Sequence, residues 1–146
     1  MFTANNTVLY WDTNPFSDSV SKAALNLIFR NIPQVPTPLY LALYGTNPTA
    51  SDTGVEVPTV GTGYARQVLA FGTITQDGSG RSIIKNVGDI EFPVASGAYP
   101  PVTHMGIRSA VTGGTLLAYG PTNSVVAINP TEMYKIATGN LVFGIN

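Results

Sequence analysis

Pro38-Leu39-Tyr40-Leu41-Ala42-Leu43-Tyr44-Gly45-Thr46-Asn47-Pro48 is the stretch that decides the fold. An unbroken apolar and aromatic run, Leu39 to Tyr44, lies between a proline and a Gly-Thr-Asn-Pro turn. The run is too short for an independent helix, and its flanks are chain breakers. That combination predicts a buried strand.

The β pattern continues downstream. A long polar loop, residues 49–63, leads to a strand from Tyr64 to Phe71, with Ile74 as a further extension. Asp77-Gly78 with Gly80 marks a hairpin turn. Arg81 to Lys85 and Val87 to Phe92 read as the next strands, followed by a Pro/Gly-rich loop over residues 93–101. Val102 to Ser109, Thr115 to Tyr119, Ser124 to Ile128, Met133 to Ala137 and Leu141 to Ile145 complete the series. Along Val102 to Ile107, alternation puts Val102, His104 and Gly106 on one face and Thr103, Met105 and Ile107 on the other. About eight or nine short strands at regular spacing predict a mainly β fold, a single β-sandwich of jelly-roll or immunoglobulin-like type.

Upstream lies one helix. Ser17 or Asp18 caps it, Val20, Ala23, Ala24, Leu27 and Ile28 recur at helical spacing, and Asn31 with Pro33 ends it. The helix spans 18–30. Leu25 and Phe29 lie towards its other side, so its apolar surface is wide enough for two partners. Residues 1–16 read as an N-terminal arm and residues 17–146 as the β domain with its N-terminal helix. Trp11 and Phe16 on the arm, and Tyr99 on the 93–101 loop, are the candidate contact residues, because exposed aromatics anchor interfaces.

Composition narrows the function. The 146 residues carry seven Lys+Arg against eight Asp+Glu, a net charge of −1, and no cysteine. Near-neutrality gives no electrostatic footprint for nucleic acid or an anionic membrane. Disulfides and thiolate metal sites are excluded. Charged residues make up 10% of the chain, against about 25% in ordinary soluble domains. That shortage predicts surface buried in subunit contacts, hence a homo-oligomer such as a trimer. No stretch approaches the roughly 18 apolar residues of a membrane span. Met1 to Tyr10 has neither the basic region nor the apolar run of a signal peptide, so assembly in a host cytoplasm is expected.

Chemistry is sparse. His104 is the sole histidine, and a lone imidazole on an alternating strand is read as structural rather than catalytic or metal-binding. Asp89 and Glu91 fall on one face of a strand, at a spacing not far from the roughly 5–5.5 Å of retaining glycosidase carboxylates. Pairing with Arg81, Lys85 or Arg108 on a solvated face is the favoured reading of that pair. Gly61-Thr62-Gly63 has no following helix and is not a phosphate loop. No cofactor, metal or catalytic residue is expected, and the protein is read as non-enzymatic. Glycan hydrolysis through Glu91 stands as the residual alternative.

Several segments resemble a family of small tailed-phage proteins known as tail fibre proteins. Leu39 to Pro48 is similar to its "LYVALHTADP" signature, and Gly63-Tyr64-Ala65-Arg66 to its "GYAR" step. Asn86 to Pro93 resembles "N-x-x-x-I-x-F-P". Val102 to Ile107 resembles "VTHFGI", and Gly113 to Gly120 resembles "GG-x-LL-x-YG". The resemblance spans roughly residues 39–146, in the family's order. It implies a structural protein of the bacteriophage virion, mounted on the particle exterior by contacts with other virion proteins. A capsid decoration or cement protein is the nearest alternative. A module binding a host receptor or host-surface glycan, through Tyr99 and the 93–101 or 49–63 loop, is the second. The resemblance supplies no catalytic residue.

Overall fold

The structure is a computed structural model describing the backbone of residues 2–5 and 9–11, and residues 16–34 and 37–145. Among the described residues it is mainly β with one helix. The strands are β1 (Phe2–Asn5), β2 (Leu9–Trp11), β3 (Leu39–Tyr44), β4 (Gln67–Leu69), β5 (Thr75–Gln76) and β6 (Ser82–Lys85). They continue as β7 (Ile90–Glu91), β8 (Val102–Arg108), β9 (Leu116–Val126), β10 (Met133–Ile136) and β11 (Leu141–Ile145). The helix α1 is Asp18–Arg30.

Three sheets form, in orders β1-β10-β7, β2-β11-β6-β5 and β4-β3-β8-β9. The first two are linked by the chain itself. Strands β6 and β7 run antiparallel to β11 and β10, and β1 and β2 run parallel to β10 and β11. Both partners therefore pass from one sheet to the other at matching points, residues 86–89 and 137–140. Asn86, 1% exposed, sits at that bend. Its amide nitrogen donates to the carbonyls of Gly88 (2.9 Å) and Ala137 (3.3 Å), and its Oδ1 accepts from the Leu141 N–H at 2.9 Å. Its backbone N–H donates to Leu141 O and its carbonyl accepts from the Gly139 N–H. A buried amide satisfied on every side fixes the bend.

The core gathers Leu41, Leu43, Met105, Ile107 and Ala118 of the third sheet with Ile90, Tyr134, Ile136 and Leu141 of the other two. Side chains from separate sheets meeting in one cluster are consistent with the sandwich expected from sequence. Tyr64 stacks on Phe92, and Phe92 on Tyr134, with ring centroids 6.1 Å apart in each case.

Several strand assignments change, and the strands expected at Tyr64–Phe71 and Val87–Phe92 shorten to β4 and β7. The two segments expected at Thr115–Tyr119 and Ser124–Ile128 are one strand, β9, which runs through Gly120 and Pro121. Pro121 is tolerated because it is exposed on a sheet-edge strand, where it removes no ladder bond to a further neighbour. A register shift between Val102 and His104 also breaks the expected alternation. Val102 consequently joins Met105 and Ile107 in the core instead of sharing a face with His104.

Candidate functional site

Helix α1 carries the most unusual surface. The Ser17 hydroxyl accepts the Val20 N–H at 3.3 Å, a cap worth about 1 kcal/mol. Asn31 closes the other end in the left-handed region, at φ 57°. Ser17 N–H donates to Leu117 O, Asp18 N–H donates to Ala50 O, and the Ser51 hydroxyl donates to Asp18. The N-terminal end is thus fastened to β9 and to the 49–63 loop. Beyond it, only Val20, Ala23 and Asn26 are half-buried, and no residue of the helix is buried. Ala24, Leu27 and Ile28, expected on a packed face, are exposed. The helix leans on β9 by a narrow strip and leaves Leu25, Leu27, Ile28 and Phe29 at 58, 50, 70 and 77% exposure. Apolar side chains so exposed, and so close together, mark an interaction surface rather than scattered surface hydrophobes.

The three candidate contact residues have separate fates. Trp11 lies in β2, whose backbone pairs with β11 opposite Phe143; its side chain is outside the described residues. Phe16 is half-buried, its ring 5.4 Å from that of Phe143, so it fastens the helix entrance to β11. Tyr99 is 5% exposed. Its ring meets Tyr64 edge-on, its N–H donates to Ile128 O and its hydroxyl donates to Pro93 O. The 93–101 loop folds inward around Ala95, which exchanges backbone hydrogen bonds with Glu132 and Thr131. Tyr99 therefore packs inside the fold and offers no face to a partner or a glycan.

Two arginines clamp the opposite side of the third sheet, an arrangement that sequence reasoning missed. Arg66 forks onto Glu56 at 2.7 and 2.6 Å and reaches the carbonyls of Ala110 and Gly113. Arg108 forks onto Asp52 at 2.8 and 2.9 Å, and also donates to the Tyr44 hydroxyl and to Gly114 O. The 49–63 loop and the 110–114 turn are thereby tied together by charge-assisted bonds. The hydrogen bond to Glu56 raises the Arg66 pKa despite burial. Burial opposes the Arg108 charge, but the Asp52 carboxylate and Tyr44 hydroxyl outweigh it and raise its pKa. Tyr64 donates to Glu56 and accepts the Leu43 N–H; burial, then Glu56, holds its phenol far above the ordinary value. These are groups locked in one protonation state, which suits a rigid loop and not proton transfer.

The acidic pair is real but differently partnered. Lys135 on β10 bridges Asp89 (2.5 Å) and Glu91 (3.0 Å). Arg81 instead pairs with Asp77, and Arg108 with Asp52. Lys135, then the Thr138 N–H and hydroxyl, pull the Asp89 carboxyl down to about 2. A glycosidase acid needs its pKa raised, so this environment works in the opposite direction. His104 is half-buried beside β3, its Nδ1 2.9 Å from the Thr103 hydroxyl. That hydroxyl already donates to Gly45 O at 3.0 Å, so Nδ1 carries the proton and the imidazole is a structural donor. Burial lowers its pKa. Among the described residues, no group of three or more His, Cys, Asp or Glu side chains could hold a metal ion.

A β-rich body with internally locked charges and an exposed apolar helix is the form of a protein held by contacts, a structural component of a larger assembly. Residues 15–144 match the family model described as podophage GP4 fiber I protein gp80, and the chain belongs to that family. No curated protein matches the chain. The matched range takes in α1, the arginine clamp and the Asn86 bend. Membership supports a structural, tail-associated component of a phage virion that contacts other virion proteins.

Proposed function

We propose that this chain is a non-enzymatic fibre-type protein on the exterior of a podophage particle, held there by protein–protein contacts. The observation that carries the reading is the exposed apolar stretch of α1, on a helix whose N-terminal end is firmly fastened. A protein that must be gripped by neighbours needs such a surface, and its low content of charged residues fits burial in an assembly. The family match supports a tail-associated component, and a head decoration protein would use the same kind of contacts. On this reading residues 1–16, whose strands β1 and β2 pair with β10 and β11 of the same chain, take part in docking onto a neighbouring virion subunit from the margin of the sheets. Assembly takes place in the host cytoplasm.

Gradient-purified particles test the reading. Mass spectrometry should find the chain in fixed ratio to the other virion proteins. A chain found in the infected-cell lysate but missing from the particles would overturn it.

A further inference from the structure

We propose that α1 docks on the body and leaves it as one unit, and that the Asp52–Arg108 fork is the latch that holds it docked. The helix has no buried residue, and only Val20, Ala23 and Asn26 are half-buried. Two bonds tie its first residue to the 49–63 loop: the Asp18 N–H to Ala50 O at 3.1 Å, and the Ser51 hydroxyl to the Asp18 carboxylate at 3.3 Å. Few buried contacts and solvent-exposed hydrogen bonds mark an element that opens at a free energy well below that of global unfolding. Thirteen residues are also too few for a helix to persist alone, so leaving the body and losing helical structure are one event. The opening segment is bounded at Phe16, whose ring lies 5.4 Å from that of Phe143, and at Leu39, where β3 enters the third sheet.

Ala50 and Ser51, which hold Asp18, stand between Thr49 at φ 60° and Asp52 at φ 59°. Both lie in the left-handed region, which residues other than glycine adopt at a cost, a β-branched threonine most of all. Such a turn persists only where its surroundings enforce it. Within the loop, the Thr49 N–H donates to Asn47 Oδ1 at 2.9 Å, and the Thr49 and Thr53 hydroxyls are 2.8 Å apart. The Thr53 and Gly54 N–H groups both donate to Pro48 O. From the sheet, Arg108 takes both oxygens of the Asp52 carboxylate at 2.8 and 2.9 Å. Arg108 is itself well seated: it lies on the inner strand β8, is 8% exposed, and also donates to the Tyr44 hydroxyl and Gly114 O. The fork therefore pins the strained turn to the sheet and, through Ala50 and Ser51, sets where Asp18 is held. When it parts, Thr49 and Asp52 relax and carry Ala50 O and the Ser51 hydroxyl away from the helix. Asp52 is thus a positioning residue for α1, and the helix can shift while the sheets keep their places. The latch is a property of the chain itself and does not rest on the proposed function.

Hydrogen exchange of the full chain, under conditions where it follows the opening equilibrium, tests the latch. The α1 amides should exchange together, at least about a hundredfold less protected than those of β3. Global unfolding breaks every bond, so β3 responds to any destabilising variant, whereas α1 responds only to bonds that break in its own opening. Asp52→Asn should therefore speed α1 exchange about fivefold. Ser51→Ala, at an exposed position where the fold is not at risk, should speed it about twofold. Glu56→Gln removes the same charge from the neighbouring Arg66 fork, which does not lead to Asp18. It should speed β3 and leave α1 unchanged. The latch is overturned if α1 is as protected as β3, or if Asp52→Asn or Ser51→Ala leaves α1 exchange unchanged. It is also overturned if Glu56→Gln speeds α1 as much as Asp52→Asn does. Presence of the chain in purified particles is a separate reading, so failure of the latch leaves the proposed function intact.

Discussion

Asn86 and Leu141 hold each other by two hydrogen bonds, Asn86 N–H to Leu141 O at 3.1 Å and Leu141 N–H to Asn86 Oδ1 at 2.9 Å. The pair stands where β6 and β11 hand over to β7 and β10, so one side chain sets the angle between two sheets. The role of position 86 is architectural.

Replacing Asn86 by Ala leaves the buried Leu141 N–H without its acceptor and removes the bond to the exposed Gly88, whereas the Ala137 carbonyl keeps the Asn140 N–H. The expected loss is about 3 kcal/mol, since each buried orphan costs about 1–3 kcal/mol. Thermal denaturation should show a fall of roughly 10 °C, at about 3 °C per kcal/mol for a domain of this size. A change below about 2 °C would mean that water replaces the amide without loss.

The Arg108–Asp52 fork should be energetically coupled. Arg108 is 8% exposed but the Asp52 side chain is 36% exposed, so solvent screens one end. Arg108→Ala should cost about 2 kcal/mol, below the about 3–5 kcal/mol of a fully buried pair broken on one side. A double-mutant cycle with Asp52→Asn should return a coupling near 1 kcal/mol. Strict additivity would contradict the clamp.

Acid stability should depend on Asp89. Its folded-state pKa is near 2, below the about 3.9 of an unfolded aspartate. The unfolded chain thus takes the proton first, and the Asp89 contribution is present above about pH 4 and lost as pH falls towards about 2. Plots of melting temperature against pH for wild type and Asp89→Asn should be apart above about pH 4 and converge as pH falls through that window, with the wild type falling more steeply. Parallel curves would contradict the Lys135 bridge.

His104 gives a single imidazole signal, because the chain has one histidine. Burial lowers its pKa, so its NMR titration midpoint should lie below 6.5. Stability then falls as pH drops from about 6.5 through the folded-state value, since the unfolded chain binds the proton more readily. A midpoint above 6.5 would contradict a buried, neutral donor.

Local chemistry was legible in the sequence, and distant pairing was not. The helix at 18–30, its Ser17 cap and its Asn31 stop follow from neighbouring residues, and so does strand β3 between its prolines. Parallel pairing of β1 with β10, across more than a hundred residues, has no local signature. The Arg108–Asp52 and Asp89–Lys135 partners are likewise far apart in the chain, so candidate cations for Asp89 were sought on nearer strands. Tyr99 was expected outside because it is an aromatic residue on the Pro/Gly-rich 93–101 loop. The backbone bonds that fold its loop inward come from Ile128 to Glu132, which the loop sequence does not reveal. Exposure of the α1 stripe was partly legible, as an apolar surface too wide for one partner.

The central claim, a fibre-type component on the outside of a podophage tail, is tested most directly by labelling intact particles. Gold-conjugated antibody raised against the folded chain, viewed by electron microscopy, should decorate the tail of the virion. Label confined to the head surface, or no label on intact particles, would contradict the account.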